Sequence, residues 1–182
     1  MPDRTSSDAV ETAARLAYGR LVALLTARSR DLAGAEDALG DALLAALEHW
    51  PEQGVPANPP AWLLTVARRR LIDRARRTAR ANAAQAEIER MHEEAELAMN
   101  EAHPFPDRRL GLMLACAHPA IDPAARTPLM LQAILGLSAE RMAPVFLTSP
   151  AAMTKRLVRA KTKIAASGIG FTEPEPEDLV ER

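Results

Sequence analysis

From Arg15 to Trp50 apolar residues recur at helical spacing, with a break near Asp31 to Gly34, and this pattern predicts two antiparallel helices. The second, from Ala35 to about Trp50, puts Ala38, Leu39, Ala42, Leu43, Ala46 and Leu47 on one broad face, with Glu36, Asp37, Gly40, Asp41 and Glu48 elsewhere. Pro51 is expected to end it, because proline lacks the N–H that an interior helical bond needs. The loop PEQGVPANPP follows. Asn58 can then cap a third helix, whose first turn tolerates Pro59 and Pro60. That helix, from about Pro60 to Arg80, carries Leu64, Ala67, Leu71 and Ala75 on one stripe and Arg69, Asp73, Arg76, Arg77 and Arg80 on the other side.

Residues 81–106 read as an acidic linker, after which a second helical block begins. Asp107 to Cys116 is amphipathic, AHPAIDP is a turn, and Pro123 to Leu135 is a helix closing at Gly136, a residue suited to the left-handed conformation there. Ser138 is an N-cap with Leu137 placed to staple onto Met142, and the helix it starts can reach Phe146 at most. Pro144 inside it should force a kink or an early end. Leu147-Thr148-Ser149 is a tight turn. Ser149 caps a longer helix with Pro150 at its first position. A short helix, a three-residue turn and a longer helix match the helix-turn-helix plan. On the longer helix Met153, Leu157, Ala160 and Ile164 form the core side, and Ala152, Lys155, Arg156, Arg159 and Lys163 lie opposite.

The composition adds to this picture. With Ala, Leu, Arg and Glu dominant and aromatics at 3%, an all-α protein is expected: two small helical domains joined by a linker, the second holding the helix-turn-helix. The boundaries are an N-terminal tail 1–14, a helical domain 15–80, the acidic linker 81–106, a helix-turn-helix domain 107–170 and an acidic tail 171–182. The segment 1–14 has no apolar core of the kind a signal peptide needs, no run approaches the ~18 apolar residues of a membrane span, and the lone Cys116 cannot form an internal disulfide. A cytoplasmic protein without membrane partners is the expectation.

Charge then supplies the functional clue. The formal net charge is only −1, yet Arg68, Arg69, Arg70, Arg74, Arg76, Arg77 and Arg80 crowd one segment against the single acid Asp73, and no acid interrupts residues 151–170. Such segregation suits a polyanion, and nucleic acid is the obvious one. Cys116 and His118 have the spacing of a metal pair, but no second pair completes a site, so neither metal nor cofactor is expected. There is no phosphate-cradling glycine loop, no nucleophile elbow and no cluster of His, Cys and carboxylates, and no catalytic residue is assigned.

Residues 35–47 (AEDALGDALLAAL), 62–77 (WLLTVARRRLIDRARR) and 137–163 (LSAERMAPVFLTSPAAMTKRLVRAKTK) resemble, in order, the conserved parts of bacterial extracytoplasmic-function sigma factors of the sigma-70 family. HPAIDP and AMTKRLVRAK further resemble the subgroup that usually carries a C-terminal tetratricopeptide-like extension, and this chain stops at Arg182 without it. The resemblance implies an initiation factor that binds core RNA polymerase and directs it to promoter DNA. Residues 15–80 would then be region 2-like and 107–170 region 4-like. Asp37 and Asp41 would contact the polymerase clamp, although Gly40 and Leu43 depart from the commoner pattern of glutamine and an aromatic. Arg68, Arg69, Arg70, Arg74, Arg76 and Arg77 would lie near the upstream minus-ten element, where a flipped base is held after unstacking. Ala152, Lys155, Arg156 and Arg159 would read the minus-thirty-five element, with Lys161 and Lys163 on phosphates. An anti-sigma factor or a C-terminal regulatory extension is a further partner the resemblance allows.

Trp62 reads first as a helix-packing anchor and second as a base-stacking platform. The rival function is an autonomous helix-turn-helix regulator that binds duplex DNA without polymerase, usually as a symmetric dimer. A protein-interaction module is the third reading.

Overall fold

The computed structural model describes residues 4–78 and 107–171, with the side chains of 4, 5, 77 and 78 outside the described set. The acidic linker 81–106, Arg80 and the tail 172–182 therefore lie outside the described residues. Among the described residues the chain is all-helical, with seven α-helices and no strand: α1 (Arg4–Ser29), α2 (Leu32–Gln53), α3 (Pro59–Thr78), α4 (Arg109–Cys116), α5 (Pro123–Leu135), α6 (Ala139–Met142) and α7 (Pro150–Ser167). They fall into two compact units, Met1–Ala17 with Gly34–Pro106 and Tyr18–Ala33 with Asp107–Arg182, so α1 contributes to both.

In the first unit α1 begins at Arg4, upstream of the periodic segment that starts at Arg15, and buries Val10 and Ala13. Helix α2 buries Ala38, Leu39, Ala42 and Ala46 as its pattern predicts, while Leu47 is 38% exposed. It also runs on past Pro51 to Gln53. A proline in the last turn lacks only one internal bond, and the helix instead ends just before Gly54, whose N–H donates to the carbonyl of Trp50 at 3.0 Å. Asn58 caps α3 as expected, its Oδ1 accepting from the Ala61 N–H at 3.2 Å. On α3 the buried positions are Ala61, Leu63, Leu64, Ala67, Arg68, Leu71 and Ile72, so the apolar stripe is broader than predicted, and Ala75 is exposed. Trp62 stacks edge-on against Trp50, ring centroids 5.5 Å apart and planes at 70°, with His49 at 6.5 Å. It packs one helix on another.

The break between α1 and α2 sits at Arg30, whose φ of 53° would suit glycine better; the Ser29 hydroxyl accepts from the Asp31 N–H at 3.2 Å across it. In the second unit Gly19 of α1 lies so close to the backbone of Ile134 that a Cβ would overlap its carbonyl. The Tyr18 ring lies 3.2 to 3.3 Å from where a Cβ on Gly136 would stand. Gly136 also adopts φ 67° to close α5, its N–H returning to the Gln132 carbonyl at 2.8 Å.

The rest of this unit packs α4 on α5, α5 on α7 and α6 on α7. Its core holds Leu112, Cys116, Ile121, Leu129, Met142, Met153, Leu157 and Ile164, each at most 2% exposed. Ile169 and Phe171, which follow the end of α7 at Gly168, are buried too. Burial of apolar surface on this scale, roughly 25 cal/mol per Å², is what holds short helices together that would fray alone.

Candidate nucleic-acid interface

Helix α6 starts where the sequence predicts and ends early. Ser138 caps it, its hydroxyl accepting from the Arg141 N–H at 3.4 Å, and Met142 is its last residue. The C-cap Ala143 and then Pro144 follow in a run of turns. The Thr148 N–H donates to the Ala143 carbonyl at 3.0 Å, and Leu147 takes φ 49° with its side chain 94% exposed. Ser149 then caps α7, accepting from the Ala152 N–H at 3.2 Å, with Pro150 at the first position. These local signals set where α7 begins, and the buried row Met153, Leu157, Ala160 and Ile164 sets which side faces inward.

The opposite side of α7 presents Ala152, Lys155 and Arg159, all exposed, and also Val158 at 56% exposure, which the charge pattern did not single out. A shallow depression of about 450 Å³ is lined by Ala152, Thr154, Lys155, Arg156, Val158 and Arg159. Its mixture of methyl groups and cations can meet both the methyl of a thymine and the acceptors of base edges. Lys161 is half-buried and Lys163 exposed.

Arg156 behaves differently. It is half-buried, and its Nη1 donates to the Ala124 carbonyl at 3.4 Å. That carbonyl would ordinarily accept from the N–H four residues on, but position 128 is a buried proline inside α5. The α7 guanidinium supplies a donor that the α5 backbone cannot, which ties the two helices together. This geometry fits a side chain shared between the fold and a surface rather than one directed wholly at base edges.

On α3 the arginines also divide. Arg69, Arg70, Arg74 and Arg76 are exposed, Arg77 lies on the helix with its side chain outside the described set, and Arg68 is buried at 8% exposure. Arg74 Nη1 donates to Asp37 Oδ2 at 3.0 Å in an exposed ion pair between α3 and α2, and Asp41 lies exposed one turn along α2. The structure thus brings one residue expected at polymerase (Asp37) against one expected at DNA (Arg74), so neither is electrostatically independent of the other.

At the start of α4, Asp107 accepts from the Arg109 backbone N–H at 3.0 Å and from its Nε at 3.0 and 3.1 Å. These bonds, first the side-chain and then the backbone one, lower the Asp107 carboxyl to about 2. Among the described residues no group of three His, Cys, Asp or Glu side chains converges as a metal would need, and no helix is long and apolar enough to cross a membrane.

Comparison with known proteins bears on the first unit above all. Residues 14–81 match the family model of sigma-70 region 2. Over 158 residues, 84% of the chain, the sequence is 39% identical to an uncharacterized protein of Rhizobium meliloti (strain 1021). The aligned part covers 37% of that relative, so the chain spans little more than a third of its length. No solved structure matches the chain. The match to region 2 falls on the very helices that carry Asp37, Asp41 and the α3 arginines.

Proposed function

We propose that the chain is a sigma factor of the extracytoplasmic-function type, which binds core RNA polymerase, directs it to promoters, and assists DNA opening and transcription initiation in the cytoplasm. The observation that carries this reading is the sigma-70 region 2 match over residues 14–81, placed on a helix whose outer side exposes Arg69, Arg70, Arg74 and Arg76. A second basic helix, α7, completes the two-point contact that such a factor makes with a promoter. In this reading α6, the turn and α7 form a helix-turn-helix with α7 in the major groove.

The roles divide by chemistry. The exposed carboxylates of Asp37 and Asp41 offer α2 to a basic surface of polymerase. The α3 cations neutralise phosphates where the duplex opens, so that the unstacking cost of a few kcal/mol for a flipped base is offset by contacts to the extruded strand. Lys155 and Ala152 meet base edges of the upstream element, and Lys161 and Lys163 hold backbone. No catalytic residue is assigned, because the polymerase performs the chemistry.

The test is co-purification with core RNA polymerase. Wild type is expected to be retained, and the double change Asp37→Ala and Asp41→Ala to be released at lower salt while its helix content stays unchanged. Absence of retention, combined with unaided binding of a duplex as a symmetric dimer, would favour an autonomous regulator instead.

A further inference from the structure

The turn HPAID, residues 118–122, is built more firmly than a connection between two helices requires. The Ile121 N–H donates to the His118 carbonyl at 2.9 Å, and the Ala120 N–H donates to His118 Nδ1 at 3.0 Å. From α5, Arg126 grips the turn twice, Nε to the Ile121 carbonyl at 3.0 Å and Nη2 to the Pro119 carbonyl at 3.1 Å. Asp122 caps α5, its Oδ1 accepting from the Ala124 N–H at 2.9 Å, and the Ile121 side chain is 1% exposed. The turn is therefore anchored below by an apolar side chain and clamped from the side by a guanidinium.

This rigid turn forms one wall of a cleft of about 250 Å³, and the other wall is α7. Arg156, Arg159 and Lys163 line it, facing Ala120 and Asp122. Arg156 is fixed by its bond to Ala124. Among the described residues Arg159 and Lys163 make no hydrogen bond or ion pair, which leaves their charge available to a ligand. Three cations against one carboxylate, at the positive end of α5, favour an anion. Positions 156, 159 and 163 follow the i, i+3, i+7 rule and run over roughly 10 Å of helix, which suits a stretch of chain better than a single small ion.

We infer that the cleft between the HPAID turn and α7 seats the phosphodiester backbone of duplex DNA, with Arg159 and Lys163 as phosphate ligands and Arg126 as the residue that positions the turn. The inference rests on the DNA-binding reading proposed above. It moves Arg159 from base edges to backbone and gives the turn a task in binding. Asp122 works against the bound phosphate, and its place there reflects its other job as the cap of α5.

The test uses the full chain and a mixed-sequence duplex of about 30 base pairs, with binding followed by fluorescence anisotropy over a series of salt concentrations. Lys163→Gln should lower the slope of log affinity against log salt by about 0.9, and Arg159→Gln with Lys163→Gln by about twice that. Asp122→Asn keeps a capping oxygen but removes the negative charge, so it should tighten binding, by about threefold for a charge some 6 Å from a phosphate in water. A residue of purely structural importance would not produce that gain. Melting curves for each variant confirm the fold. If the wild type binds the duplex but Lys163→Gln keeps its slope, or Asp122→Asn does not tighten binding, the seat is wrong and the function reading survives. If inorganic phosphate raises the melting temperature of wild type and not of Lys163→Gln while the DNA slopes stay equal, the cleft is a free-anion site and the backbone assignment is overturned. A wild type that binds no duplex at low salt overturns the seat, and the function reading then stands or falls on retention by core polymerase.

Discussion

Helices α3 and α7 are both dense in cations, yet they use them differently. On α3 one arginine of the cluster, Arg68, is buried in the first unit, and another, Arg74, is engaged with Asp37 on the neighbouring helix. On α7 the core row is wholly apolar, Arg156 reaches across to mend a backbone gap left by Pro128, and Lys155, Arg159 and Lys163 remain exposed. A count of basic residues therefore overstates the charge that either helix can offer a partner, and for different reasons: burial and pairing on α3, helix-to-helix support on α7. A guanidinium suits both structural tasks because its planar fork delivers several donors to fixed acceptors while its stem covers apolar surface.

The largest effect separating these roles should come from Arg68. Arg68→Ala is expected to destabilise the protein by about 2 kcal/mol, since it empties buried volume and strips a donor from buried surroundings, whereas Arg69→Ala one residue along should stay within about 0.5 kcal/mol. Urea unfolding of the two variants measures this, and equal stabilities would break the comparison on α3. Next in size, Arg156→Ala should cost about 1 kcal/mol by leaving the Ala124 carbonyl without its donor, while Lys155→Ala should leave stability unchanged and weaken DNA binding. Thermal melts alongside duplex titrations check the pair, and a stability loss at Lys155 as large as at Arg156 would contradict the division on α7.

How far this division was legible in the sequence depends on the residue. The helix ends were readable because their signals are local: Asn58, Ser138 and Ser149 cap where expected, Pro123 and Pro150 open helices, and Gly136 closes one. Arg68 was readable too, since 100° per residue sets it only about 40° from Leu64 on the wheel, within the apolar stripe. Counting arginines along the segment hid that. Pro128 signalled a carbonyl in want of a donor, but that Arg156 would supply it depends on how α7 crosses α5, which periodicity does not encode. The same holds for Arg126 and the HPAID turn, and for the ion pair across 37 residues between Asp37 and Arg74. Pro51 misled because a proline rule for helix interiors was applied to a last turn, where it has little force.

Smaller effects sharpen the comparison of surface pairs in the two units. A double-mutant cycle on Asp37 and Arg74 should give a coupling of about 0.3 kcal/mol, as expected for two exposed groups, and it should vanish in high salt. A coupling several times larger would make that pair a structural link rather than a charge-tuning one. In the second unit the Asp107 carboxyl is lowered from 3.8 to about 2, so the folded state holds its proton less tightly than the unfolded one. Its contribution is present above about pH 4 and fades as pH falls toward 2, and Asp107→Asn should flatten the acid limb of stability slightly over that window alone. Stability profiles from pH 6 down to pH 2 for wild type and variant provide the check.

The central claim, that both basic helices serve one act of promoter recognition with polymerase, is tested most directly by run-off transcription from genomic fragments with purified core RNA polymerase. Discrete transcripts are expected only when the chain is added, reduced both by Arg69→Ala with Arg76→Ala on α3 and by Lys155→Ala with Arg159→Ala on α7. Core polymerase giving the same transcripts with and without the chain would contradict it.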